Sequence, residues 1–112
     1  MSSPNKIKGS QWERDIVKAL IEAGFIKVER MYGAGRQDDR GDIRGLRDWT
    51  IEAKNHAKID LSQFLAELKV EMANAKTTYG AAVVKKRGKG VSESYVVLPF
   101  PVLIALLKET NA

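Results

Sequence analysis

The chain has 112 residues, 44% hydrophobic and 29% charged, with a net charge of +5 and a pI near 9.6. That balance excludes a disordered chain and fits one globular domain with a thin margin of stability. The absence of cysteine excludes disulfides and cysteine-ligated zinc, and no apolar run is long enough to span a bilayer.

Residues 1–9 read as a flexible, basic segment ahead of a single domain over 10–112, and Met1 to Lys6 leads into no apolar signal region. Ser10 is placed as a helix N-cap. Trp12, Ile16, Leu20 and Ala23 then recur at helical spacing, with Val17 and Ile21 beside them, which predicts an amphipathic helix ending near Gly24. Phe25 to Met31 reads as a strand, and Gly33-Ala34-Gly35 as a mobile turn opening a polar loop through Arg40. Asp42 to Leu46 and Trp49 to Lys54 are two short strands joined by a tight turn at Arg47-Asp48. Asp60 caps a second helix that carries Leu61, Leu65, Leu68 and Met72 on one stripe and frays near Tyr79-Gly80. Ala81 to Val84 is an apolar strand entering a basic turn, Lys85 to Gly90, and Ser94 to Leu98 returns as its partner. Pro99 and Pro101 break that strand and start a last helix, Val102 to Lys108. The order is α-β-β-β-α-β-β-α, an α/β fold with a central mixed sheet flanked by helices.

The stretch that carries chemistry is Gly41-Asp42-Ile43 followed by Glu52-Ala53-Lys54. In a hairpin Asp42 and Glu52 lie side by side, and alternation puts Glu52, Lys54 and His56 on one face. Two carboxylates are hard oxygen ligands suited to Mg2+, with Mn2+ as a substitute. Such an ion polarises a scissile phosphate and acidifies a bound water, while Lys54 orients that water or neutralises charge on the phosphate. The competing reading is an exposed hairpin with alternating charge. Glu13 has two readings as well. Ser10-x-x-Glu13 is a capping-box pattern, yet Glu13 lines up with Val17, Leu20 and Gly24 near the buried stripe, where a merely solvated acid is out of place. His56 reads as a polar residue at a strand end, the alternative being a phosphate contact beside Lys54; Asp38 and Asp39 read as loop-solvating acids, the alternative being an added metal ligand; Trp12 and Trp49 read as core.

Lys8-Gly9-Ser10-x-x-Glu13-Arg14, the Gly-rich loop, Gly41-Asp42-Ile43 and Glu52-Ala53-Lys54 together resemble the archaeal-type Holliday-junction resolvases of the PD-(D/E)XK nuclease superfamily, over roughly residues 8–98. The resemblance implies a restriction-endonuclease-like core and metal-dependent cleavage of branched DNA by a homodimer, in recombination and repair. Carried over by position, Glu13, Asp42, Glu52 and Lys54 are the catalytic set, with Asp42, Glu52 and Glu13 at the metal. Two departures stand out: Gly41 replaces the family's proline, and Gly33-Ala34-Gly35-Arg36 lacks a serine found in some members. Gln63 followed by Glu67, where related end-processing exonucleases have tyrosine, argues against an exonuclease.

Basic residues cluster at Arg36, Arg40, Arg44 and Arg47 and again at Lys85, Lys86, Arg87 and Lys89. Arg36, Arg40, Arg44, Lys85, Lys86 and Arg87 are the expected DNA contacts, the competing reading being two solvated loops. The core consumes nearly the whole chain, so recognition must rest on backbone charge and DNA shape. The last helix is apolar all round, which predicts either a fully packed core helix or a dimer contact. The expected partners are branched or duplex DNA and a second copy of the chain, with no membrane, in the cytoplasm (that of the host for a phage-encoded chain). Open alternatives are another nicking or repair endonuclease of the superfamily and a non-catalytic DNA-binding protein of the same fold.

Overall fold

The computed structural model describes residues 4–31 and 40–112. Helix α1 spans Pro4–Glu22, and strands β1 (Glu29–Arg30), β2 (Ile43–Arg44) and β3 (Trp49–Lys54) follow. Helix α2 (Leu61–Ala75) leads to β4 (Tyr79–Val84), a single 3-10 turn (Val91–Glu93), β5 (Tyr95–Val97) and α3 (Phe100–Glu109). The strands form one mixed sheet in the order β1-β2-β3-β4-β5. Neighbours are antiparallel except β3 and β4, which run parallel with Lys54 opposite Val84. A parallel pair needs a crossover connection, and α2 supplies it.

Both faces of the sheet are covered, which is why β4 reads as an unbroken run of buried small and branched residues. On one face Trp12 and Ile16 of α1 pack with Ile43, Ile51, Ala81 and Val83. The Trp12 indole donates to the Val83 carbonyl at 3.0 Å, so the largest core residue leaves no polar atom unmatched. On the other face Phe64 of α2 packs with Ala82 and Val84. Burying Phe64 and Leu68 contributes about 2 kcal/mol each. A Cβ on Gly80 would come within 2.4 Å of the Met72 Sδ, so glycine lets α2 lie this close to β4. A Cβ on Gly45 would meet the Lys27 carbonyl oxygen at 2.2 Å, which fixes the crossing of the chain before β1 over the end of β2.

Several boundaries differ from expectation. Helix α1 begins at Pro4 rather than Ser10, with the fixed φ of proline suiting a first helical position. Residues 4–9 are therefore helical, Ser10 lies inside the helix, and the capping box has no free N-terminal amides there to satisfy. The strand expected over 25–31 is reduced to Glu29–Arg30, because Gly24 at φ +110 turns the chain and Phe25 and Ile26 face solvent. Along α2 the buried stripe is Phe64, Leu68 and Glu71, while Leu61 is exposed. The helix stops at Lys76 in the left-handed region, and Tyr79-Gly80 opens β4. The N-cap at Asp60 holds, its carboxylate accepting from the Gln63 amide at 3.1 Å. The Gly33-Ala34-Gly35 turn, with Arg36, Asp38 and Asp39, lies outside the described residues. Among the described residues no helix is long and apolar enough to cross a membrane.

Candidate active site

Strand β3 carries an unusual pattern. Its residues on the α1 face include Ile51, as a core strand requires, but on the α2 face Thr50, Glu52 and Lys54 are all buried. A buried polar stripe in the middle of a sheet costs stability unless each group is matched. Thr50 meets the Thr77 hydroxyl at 2.6 Å. Glu52 and Lys54 are only 4% and 6% exposed, and the Lys54 Nζ lies 3.4 Å from the Glu52 Oε2.

The second partner of Lys54 comes from α2. The Lys54 Nζ hydrogen-bonds the Glu67 Oε2 and lies 5.2 Å from the centre of the Phe64 ring. Burial works against the lysine charge, but the Glu67 hydrogen bond and the Glu52 and Glu67 charges outweigh it and raise the Lys54 pKa above the ordinary lysine value. One turn further along α2, Glu71 is buried on the same face. Carboxylate oxygens of Glu52, Glu67 and Glu71 lie within 4.8 Å of one another, a group able in principle to hold a metal ion.

Asp42 sits where β2 begins. Its main chain bridges to both sides: its carbonyl accepts from the Met31 amide at 2.7 Å, and its amide donates to the Ile51 carbonyl at 2.9 Å. Its Oδ2 accepts from the Ala53 amide at 2.8 Å, between Glu52 and Lys54 in sequence. Burial and the Glu52 charge push the Asp42 carboxyl up from 3.8 to about 7, with the Glu13 charge adding to the rise and the Ala53 bond and Lys54 opposing it. Glu13 reaches this region from α1, its Oε1 bonded to the Arg30 Nε at 2.9 Å. Glu13 is thus a site-facing acid held by an arginine of β1, and not a cap.

No protein-family model, curated protein or solved structure matches the chain significantly. The geometry alone therefore carries the reading of the site. It brings Asp42, Glu52 and Lys54 together, as the spacing predicts, and adds the Glu13 charge to those acting on Asp42. It also shows that the three carboxylates packed tightly enough to share an ion are not Asp42, Glu52 and Glu13. Among the described residues they are Glu52, Glu67 and Glu71. Glu67 and Glu71 are the residues that sequence reasoning missed. A signal was present: Phe64, Leu68 and Glu71 follow the i, i+4, i+7 pattern of a buried stripe, so Glu71 is an acid on an apolar face.

The other singled-out residues scatter. His56 is exposed and tilts against Phe64 at 5.1 Å. Trp12 is core, whereas Trp49 is half-buried and stacks on Tyr79 at 5.1 Å. Arg40 is exposed, and Arg44 is paired with Glu29. Lys85 folds back, its Nζ donating to the Lys89 carbonyl and lying 5.2 Å from the Trp12 ring, so its cation serves the turn. Lys86 and Arg87 project from that turn, Lys86 within 6.0 Å of the Tyr95 ring. Arg36 lies outside the described residues.

Proposed function

We propose that the chain is a Mg2+-dependent, structure-selective DNA endonuclease with a restriction-endonuclease-like core, acting as a Holliday-junction resolvase. The observation that carries this reading is the convergence of Asp42 on β3: its Oδ2 takes the Ala53 amide at 2.8 Å, between the buried Glu52 and Lys54, which lie 3.4 Å apart. A carboxylate crowded by other carboxylates is an unfavourable arrangement in isolation and a favourable one around a divalent cation. The donors fit Mg2+ in kind: hard carboxylate oxygens, few in number. In this reading Asp42 and Glu52 would hold the ion, with Glu13 beside them; Glu52 is also the acid shared with the tighter Glu67 and Glu71 group. The ion, which Mn2+ can replace, would polarise the scissile phosphate and acidify a water.

The residues of the chain do the rest. Lys54, held charged next to Glu52, would neutralise charge developing on the phosphate oxygens. Asp42, locked by the Ala53 amide, fixes the carboxylate geometry relative to Lys54 on the same short stretch of β3. Lys86, Arg87 and Arg40 supply phosphate contacts away from the cut. Paired cuts on a four-way junction need two sites in fixed relation, and a homodimer through α3 supplies them. Phe100, Leu103, Ile104 and Leu107 are exposed on that helix, consistent with a face awaiting a second copy.

The deciding experiment incubates the protein with a four-way junction and with a linear duplex of the same sequence, with and without Mg2+. Paired, Mg2+-dependent nicks confined to the junction are expected. Equal cutting of both substrates would favour a general nicking endonuclease, and binding without cutting under any divalent cation would leave a non-catalytic DNA-binding protein.

A further inference from the structure

We infer that Glu67 is a positioning residue for Lys54: it holds the lysine ammonium from the α2 side so that the group stays beside Glu52. The inference rests on the nuclease reading for the step that Lys54 serves, though not for the contact itself.

A lysine side chain is a compact charge on a four-carbon stem with many rotamers, so one placed to meet a phosphate must be held. Here it is held from two elements. Within β3 the Glu52 Oε2 lies 3.4 Å from the Nζ. From α2 the Glu67 Oε2 accepts a hydrogen bond from the Nζ, and the Phe64 ring, one turn earlier, lies under the ammonium at 5.2 Å. Glu67 is itself fixed, because its other oxygen accepts from the Gln63 Nε2 at 3.1 Å. Gln63 is fixed in turn by its main chain, whose amide donates to the Asp60 carboxylate at the helix N-terminus. A chain of contacts therefore runs from the cap of α2 through Gln63 and Glu67 to Lys54. Fixing the ammonium also fixes which oxygen of Glu52 it faces, the Oε2.

Stability alone does not account for this pair. The Glu67 side chain is 40% exposed, against 5% for Glu52, and a partly exposed ion pair contributes little to folding. Removing the Glu67 carboxylate opens its place to water and leaves Lys54 with Glu52, so the variant should fold. An effect on rate without an effect on melting is then the signature of positioning.

The test pairs kinetics with a direct view of the ammonium. Under single-turnover conditions with Mg2+ and a four-way junction, Glu67→Ala should slow cleavage by on the order of tenfold or more, as small misplacements of a reacting group do. The junction dissociation constant and melting midpoint should stay near those of the unaltered protein. Glu67→Gln should recover most of the rate, since its amide oxygen still accepts from Lys54. In a Lys54→Ala background, Glu67→Ala should have no further effect. Equal losses in both backgrounds, or an unchanged rate in Glu67→Ala, overturn the proposal. Independently of activity, nitrogen-edited NMR at low temperature should show a slowly exchanging ammonium signal, assigned by its loss in Lys54→Ala. It should vanish in Glu67→Ala and survive in Glu67→Gln. Absence of the signal from the unaltered protein, or its persistence in Glu67→Ala, refutes the holding role. If the unaltered protein cuts no DNA, the nuclease reading fails while the NMR comparison still decides what Glu67 does.

Discussion

The Asp42 side chain and the Ala53 main chain share a hydrogen bond of 2.8 Å, the carboxylate Oδ2 accepting from the amide between Glu52 and Lys54. A side chain thus occupies a ladder position at the end of the β2–β3 pair. This single contact ties the first acid of the site to the strand that carries the other two charged residues, and it fixes their separation independently of the chain before Gly41.

Removing either acid should separate binding from cutting. Asp42→Asn and Glu52→Gln should each abolish Mg2+-dependent cleavage while leaving junction affinity equal to or tighter than before, since a repulsive charge facing phosphate is gone. Lys54→Ala should lower the rate by on the order of a hundredfold, and Lys54→Arg should rescue poorly because the guanidinium fork does not fit between Glu52 and Glu67 as the ammonium does. Gel-shift and single-turnover assays run side by side measure both quantities. Near-normal cleavage by Asp42→Asn would remove Asp42 from the site.

The raised Asp42 pKa has a sign that can be tested without substrate. A carboxyl whose pKa is about 7 folded and 3.8 ordinarily binds more protons in the folded state between those values. Its contribution to stability is fully present below about pH 4 and is lost as pH rises through about 7. Asp42→Asn never ionises, so its urea midpoint in EDTA should gain on that of the unaltered protein between pH 5 and pH 8. The gain should be worth on the order of 2 kcal/mol. Excess Mg2+ should narrow the gap at pH 8 by stabilising the ionised carboxylate. A difference that does not change with pH contradicts the burial and charge crowding at Asp42.

The basic turn should divide by side-chain direction. Neutralising Lys86 and Arg87 together should flatten the log–log salt dependence of duplex binding by about 0.9 per lost contact. Lys85→Ala should leave that slope nearly unchanged and lower the melting temperature instead, because its ammonium serves the Lys89 carbonyl and the Trp12 ring. A flattened slope in Lys85→Ala with unchanged melting would reverse this assignment.

The exposed side of α3 predicts association. Val102 is buried and Leu106 half-buried, so the informative positions are Leu103 and Leu107. A specific dimer should bury about 1,200 Å² or more. Light scattering at micromolar concentration should give twice the chain mass for the unaltered protein and the chain mass for Leu103→Glu/Leu107→Glu, with helical content unchanged by circular dichroism. A monomeric unaltered protein, with and without junction DNA, would favour a simple nicking nuclease.

Local pattern determined the order of elements, the extent of β3 and the cap at Asp60. These depend on side-chain alternation, apolar periodicity and short-range hydrogen bonding, all of which act within a few residues. It also determined that Asp42, Glu52 and Lys54 would converge, because a tight turn at Arg47-Asp48 leaves a hairpin little choice. What it did not determine was where α1 starts. Gly9 and Ser10 are weak helix formers read as a cap, and the helix runs through them from Pro4. Nor did it reveal the acids of α2. Glu67 and Glu71 are ordinary helix residues until α2 crosses from β3 to β4 and sets them over Lys54 and Glu52, a proximity between residues 13 or more positions apart. The packing of α1 on the other face brings the Glu13 charge to bear on Asp42 and sets Lys85 over Trp12, 73 positions away. Burial and charge crowding are properties of the assembled layers, and only the tertiary structure brings those layers together.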